Sequence, residues 1–268
     1  INVANALSLL KQEHQALVVC GKQSQNQVET LLKKENINYQ LFLIDGIVRT
    51  NTKVIDDKNN LTEINEKGPV ISYDTIKRII HYLNYVAKPN DILVISGRLP
   101  QGLNDNTYYQ ICEQLKNQYQ IILDCDGEPL KEALSSKISY IKPNLFEFGQ
   151  LINNPNQLTN TEIIQHGKKL ISQHHLKMII ISSGSLGALY ITSENHYFAK
   201  AINITVDNTV GCGDYFVGAL CYSITNENDI DSIIKNTMAI SALKASNMPT
   251  NYDNYQQLRK QVNYEQSN

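Results

Sequence analysis

Asn208-Thr-Val-Gly-Cys-Gly-Asp-Tyr-Phe-Val-Gly-Ala-Leu220 is an extended polar run that turns through two glycines directly into an apolar helix. Phe216, Val217, Leu220, Cys221 and Ile224 recur at helical spacing, which predicts a helix starting near Gly213 or Asp214 with one buried face. Its N-terminus then points at the glycine turn. There the backbone N–H groups of Gly211, Cys212 and Gly213 converge with the positive end of the helix dipole, a cradle for a phosphate or a developing oxyanion. Asp214 sets a carboxylate beside that cradle, where it suits taking a proton from a hydroxyl that attacks the bound phosphate. Taken alone, Gly-x-Gly-Asp favours a plain helix cap, so the rest of the chain has to decide.

Working outward, continuous apolar runs at 16–20, 91–96, 121–124, 139–142 and 178–182 read as strands. They are separated by helical patterns at 26–35, 74–86, 106–118 and 161–173. Unbroken apolar strands alternating with helices predict a mostly parallel sheet covered on both faces, in a three-layer αβα arrangement. A hairpin at 188–192 and 196–199 precedes the cradle, and helices at 230–245 and 252–262 follow it. Residues 39–65 break the rhythm with short extended segments, the basic pair Arg49 and Lys53, and a turn at 57–60, so they read as a small β lid. The whole is expected to be one domain over 1–268. Gly97-Arg-Leu-Pro-Gln-Gly102 follows the C-terminal end of a strand, where open α/β sheets bind ligands.

Composition narrows the classes. The 268 residues are 42% hydrophobic with a formal charge of −2, and the two signs are interspersed. Neither nucleic acid nor an anionic membrane surface is implied as a partner, and no apolar run reaches bilayer length. Five scattered cysteines without Cys-x-x-Cys spacing suggest neither a disulfide framework nor a zinc site, and fit a reducing cytoplasm. Ile1 begins inside a helical pattern (Val3, Leu7, Leu10) with no capping residue ahead, which suggests a cropped chain.

Four segments in order decide between cap and catalyst: Thr62-Glu-Ile-Asn-Glu-Lys-Gly-Pro69, Ser96-Gly-Arg-Leu-Pro-Gln-Gly102, Lys142-Pro-Asn144 with Glu147, and Val210-Gly-Cys-Gly-Asp214. Together they resemble the ribokinase-like (PfkB) family of sugar kinases over most of the chain. Within it, Glu63-Ile-Asn65, Asn208-Thr-Val-Gly211 and Gln261-Val262 are most similar to members that phosphorylate fructose 1-phosphate, with those acting on tagatose 6-phosphate the near alternative. The resemblance implies an ATP- and Mg²⁺-dependent phosphotransferase with Asp214 as general base and Gly211, Cys212 and Gly213 as the anion hole.

It implies further that Asn144 and Glu147 organise Mg²⁺, and that Lys142, Ser183, Gly184, Asn208 and Gly213 contact ATP. Asn2, Gly97, Arg98 and Asp214 would meet the sugar, and Arg49 and Lys53 would hold the phosphate it already carries. In isolation Asn144 and Glu147 read as an N-cap with a first-turn acid, and Arg49 with Lys53 as a solvated face. Cys212 stands where Ala, Ser or Gly is usual, and Arg98 where Ser is usual. The family's first strand and glycine loop have no counterpart in this sequence. The small β layer at 39–65 also suits a dimerisation platform, for a homodimer through the lid; a non-catalytic sugar-phosphate binder is the rival from another class.

Overall fold

The computed structural model describes residues 1–55, 61–154, 158–227 and 229–267. In order these form α1 (Asn2–Leu9), β1 (Ala16–Gly21), α2 (Gln25–Lys34), β2 (Tyr39–Ile44), β3 (Asn51–Ile55), β4 (Leu61–Asn65) and α3 (Tyr73–Val86). Then come β5 (Ile92–Ser96), α4 (Thr107–Leu115), β6 (Gln120–Asp124), α5 (Gly127–Ala133), β7 (Tyr140–Ile141), α6 (Leu145–Leu151), α7 (Asn160–His174) and β8 (Met178–Ser182). The chain continues through β9 (Gly187–Ile191), β10 (His196–Lys200), α8 (Cys212–Asn226), α9 (Ile230–Ala245), α10 (Tyr252–Arg259) and β11 (Tyr264–Ser267). The side chains of Lys53, Ile55, Leu61, Glu63, Asn65 and Ser267 lie outside the described set, as does the turn expected at 57–60.

The central sheet has seven strands in the order β11-β10-β9-β8-β7-β6-β5. Strands β5 to β8 are mutually parallel, β9 reverses, β10 reverses again and β11 reverses once more, so five of the seven point the same way. Alternation along β8 explains why its whole run is apolar: Ile179 and Ile181 pack on one face, Met178 and Ile180 on the other, and all four are buried. Helices α8 and α9 cover one face, with Leu220, Ile240 and Leu243 fully buried against Tyr190. Leu115, Leu123 and Phe148 fill the other. Each such side chain removed from water contributes about 1.5–3 kcal/mol.

Two expectations shift and one helix is added. Residues 39–44 belong not to the lid but to β2, which runs parallel to β1 in a separate two-stranded ladder, Ala16 opposite Tyr39 through Gly21 opposite Ile44. The reason is burial: Phe42 is 5% exposed and meets Tyr82 edge-on, which a lid strand would not provide. The β layer proper is the antiparallel pair β3–β4. Residues 125–128 lead into a helix, α5, whose Pro129 sits in the first turn, where a missing N–H costs nothing. The final helix stops at Arg259, and residues 264–267 add a polar edge strand paired with β10. Among the described residues no helix is long and apolar enough to cross a membrane.

One close approach sets α1 against α8. A Cβ added to Gly218 would lie 2.6 Å from Ala6 Cβ and 2.9 Å from the Val3 carbonyl oxygen, so glycine lets α1 and α8 touch backbone to backbone. One turn earlier on each helix, Asn2 faces Asp214.

Candidate active site

The C-terminal ends of β5 to β8 deliver Ser96, Asp124, Lys142 with Asn144, and Ser182 to one edge of the sheet, facing the start of α8. Between them lies an open cleft of about 380 Å³. It brings together Gly97, Arg98, Lys142, Asn144, Glu147, Gly211, Gly213 and Asp214 from the sequence-predicted set.

Gly211 is the N-cap of α8 in the left-handed region, φ 80°, which a side chain would strain. The preceding loop is tied down at several points. Asn208 Oδ1 accepts from the Val210 N–H at 2.8 Å, and the Asp207 and Asn208 N–H groups donate to the Ala245 carbonyl at the end of α9. The helix therefore begins at Cys212, slightly earlier than the spacing predicts, and the Cys212 N–H is engaged by Thr209 O at 3.3 Å. Of the expected three-amide cradle, Gly211 and Gly213 remain at the helix opening and both line the cleft, joined there by the amide of Asp214 itself. The Cys212 thiol points back to Asn208 O at 3.8 Å, and burial pushes its pKa up.

Asp214 occupies the third helical position, and both of its oxygens are held. Asn2 Nδ2 donates to Oδ2 at 2.9 Å and Ser96 Oγ donates to Oδ1 at 3.3 Å. Beneath the cradle, Lys142 is 6% exposed and its Nζ lies 3.2 Å from Asp124 Oδ1; a Cβ on Gly213 would sit 3.4 Å from that nitrogen. Burial raises the Asp124 carboxyl above its usual range, and the Lys142 ammonium opposes the rise. Asn144 and Glu147 form a reciprocal capping box on α6: the Glu147 N–H donates to Asn144 Oδ1, and the Asn144 N–H to Glu147 Oε2, both at 2.8 Å. The cap reading is thus realised, while both residues also face the cleft.

Other expected residues stand further off. Ser183 and Gly184 form the turn after β8, where the Ser183 N–H donates to Gly187 O at 2.8 Å, and they do not line the cleft. Asn208 does not line the cleft and turns its Oδ1 to its own loop. Arg49 is exposed ahead of β3, and the side chain of Lys53 lies outside the described residues. Arg98 lines the cleft and reaches Asp126 Oδ2 at 3.5 Å. Sequence reading missed Ser96, Asp124, Asp126 and Ser182 as site residues. An Asp ending an apolar strand at the ligand-binding edge was the available signal for Asp124.

This arrangement pairs an anchored carboxylate with helix-start amides and a buried ammonium, groups that suit phosphoryl transfer to a hydroxyl. The pfkB family carbohydrate kinase pattern matches residues 1–256. The chain belongs to the pfkB family of carbohydrate kinases. It is 31% identical to the 1-phosphofructokinase of Bacillus subtilis over 86% of this chain and 76% of that one. It is also 31% identical to a tagatose-6-phosphate kinase of Staphylococcus epidermidis over 98% of this chain and 86% of that one. The solved phosphofructokinase-2 of Escherichia coli in complex with potassium superposes with a TM-score of 0.89 over 97% of this chain and 85% of that one; at 24% identity it speaks for the fold alone. As a pfkB kinase, the protein is a phosphotransferase acting on a sugar hydroxyl.

Proposed function

We propose that this kinase transfers the γ-phosphoryl group of ATP to the 6-hydroxyl of fructose 1-phosphate, giving fructose 1,6-bisphosphate. The observation that carries the reading is Asp214, held by Asn2 and Ser96 at the opening of α8, directly above the Lys142 ammonium. The acceptor hydroxyl passes its proton to Asp214 as its oxygen attacks the γ-phosphorus, and the bond from that phosphorus to the leaving ADP oxygen breaks. With both carboxylate oxygens anchored, the base does not rotate away, and the positioning precedes the reaction. Lys142 and the amides of Gly211, Gly213 and Asp214 stabilise the charge on the transferring group.

Asn144 and Glu147 suit a hydrated Mg²⁺. The capping box uses only Oε2 of Glu147, leaving Oε1 as the single hard anionic oxygen with which such an ion is content beside phosphates. The metal would neutralise charge on the bound nucleotide. Ser183, Gly184 and Asn208 are proposed as nucleotide contacts from the β8 side. Arg49 and Lys53 remain proposed partners of the phosphate already on the sugar.

Tagatose 6-phosphate is the second reading, supported by relatives of both names matching at the same 31% identity. A non-catalytic binder is disfavoured by the intact anchoring of Asp214. Val54 and Ile64 share one face of β3–β4 and stay 49% and 58% exposed, which supports a homodimer through this layer. Free thiols at all five cysteines suit a cytoplasmic enzyme. The test is ADP release from ATP with each sugar phosphate: turnover on fructose 1-phosphate is expected to exceed that on tagatose 6-phosphate, and the reverse order would reassign the acceptor.

A further inference from the structure

Two cations line the cleft among the described residues, and they are held in opposite ways. Lys142 is buried against Asp124, so parting the two would strand a charge away from water. Arg98 is 81% exposed at its side chain, and its partner Asp126 34%, with 3.5 Å between Nη2 and Oδ2. An exposed pair of this kind contributes little and exchanges partners at little cost.

The backbone beneath Arg98 is nevertheless fixed. The Tyr108 hydroxyl donates to the Gly97 carbonyl at 2.9 Å, and Ser96 reaches Asp214. Arg98 is therefore an exposed guanidinium on an anchored base, two residues from a contact to the proposed catalytic carboxylate. Its place in the sheet decides which substrate it meets. Lys142 and Asn144 follow β7 and Ser182 ends β8, whereas Arg98 follows β5 at the far end of the ladder. The proposed nucleotide contacts lie on the β7–β8 side of Asp214, so Arg98 lies on the acceptor side.

Charge gives the reason for a cation there. Asp124, Asp126, Glu147 and Asp214 face the cleft against Arg98 and Lys142, a formal excess of two negative charges. An acceptor bearing a phosphate monoester enters against that field unless a cation meets it. The geometry points to Arg98 as the specificity-determining residue that grips the acceptor's phosphate monoester, leaving Asp126 to do so. Asp126 is a positioning residue that holds the guanidinium over the cleft between turnovers and competes with the incoming phosphate. A planar guanidinium binds phosphate through two parallel hydrogen bonds, which favours phosphate over the distant carboxylate. This inference rests on the sugar-phosphate kinase reading above and adds which residue selects the phosphorylated acceptor.

The test is titration calorimetry of the protein with fructose 1-phosphate, tagatose 6-phosphate and unphosphorylated fructose, with ATP titrated separately as a check on folding. Arg98→Ser is expected to raise the Kd of the bound sugar phosphate by about tenfold or more and to erode its advantage over fructose. Asp126→Asn is expected to lower that Kd by roughly two- to fivefold, because the competitor for the guanidinium is gone. The double variant should match Arg98→Ser, since no cation is left to release; a merely structural loop contact would instead weaken binding in both single variants. The inference is overturned if Arg98→Ser shifts the Kd by less than about twofold, if Asp126→Asn weakens binding as Arg98→Ser does, or if Arg49→Ala carries the whole loss. If the unaltered protein binds and turns over a sugar phosphate while Arg98→Ser is silent, only this inference fails. If it binds neither sugar phosphate, the acceptor reading fails with it.

Discussion

The two ion pairs of one cleft are built to opposite specifications. Lys142–Asp124 is 7% and 16% exposed, spans the ends of β7 and β6, and sits under the glycine turn of α8. Arg98–Asp126 is 81% and 34% exposed on the loops just beyond β5 and β6. In the proposed mechanism the buried pair keeps a cation fixed where charge would develop, so nothing has to reorganise during transfer. The exposed pair keeps a cation available for exchange. Burial, more than charge, separates the preorganised group from the adaptable one.

Breaking the buried pair should have the largest effect. Lys142→Met leaves Asp124 buried and uncompensated, with an expected loss of about 3–5 kcal/mol in urea unfolding, whereas adding Asp124→Asn should recover most of it. The deficit should depend on pH with a definite sign. Burial raises the folded Asp124 pKa above its unfolded value, and without Lys142 nothing offsets the rise. The native state then takes up a proton more readily than the unfolded chain, so the deficit shrinks as pH falls through the folded value and is fully present well above it. A pH-independent deficit would show that Lys142 supports packing rather than charge.

Gly218→Ala should come next. The added methyl presses on Ala6 and the Val3 carbonyl, costing about 1–3 kcal/mol and pushing Asn2 away from Asp214. Melting temperature and turnover should therefore fall together, and a variant that loses stability but keeps full turnover would separate the helix contact from the base. Smallest is Arg98→Ala, expected to change unfolding free energy by no more than about 1 kcal/mol, as for other exposed pairs. A larger loss would make Arg98 structural and remove the contrast between the two pairs.

Much of this was legible along the chain because it depends on neighbours in sequence. Apolar runs marked β5, β6 and β8, and Gly211 to Asp214 announced a helix opening beside a carboxylate. What escaped depends on distant partners or weak local signal. Ser96 and Asp214 are 118 residues apart, and Lys142 finds Asp124 only once β6 and β7 pair. Tyr264-Glu-Gln-Ser267 carries no apolar alternation, so edge strand β11 is defined by its ladder with β10. Gly127-Glu-Pro129 punctuates like a loop yet opens α5, since proline is tolerated in a first turn. Arg98 stood out as a departure from the family pattern; the carboxylate facing it did not.

The central claim is that Asp214 accepts the proton of the sugar hydroxyl, and it is tested most directly by kcat for ADP release in Asp214→Asn beside the unaltered protein. The account predicts a fall of roughly 10²–10⁴-fold with the Kd for ATP nearly unchanged, because Asn preserves the shape, turning its oxygen to Asn2 and donating its amide to Ser96 Oγ, but cannot take the proton. Near-normal turnover by Asp214→Asn would contradict it and leave Asp214 as a cap on α8.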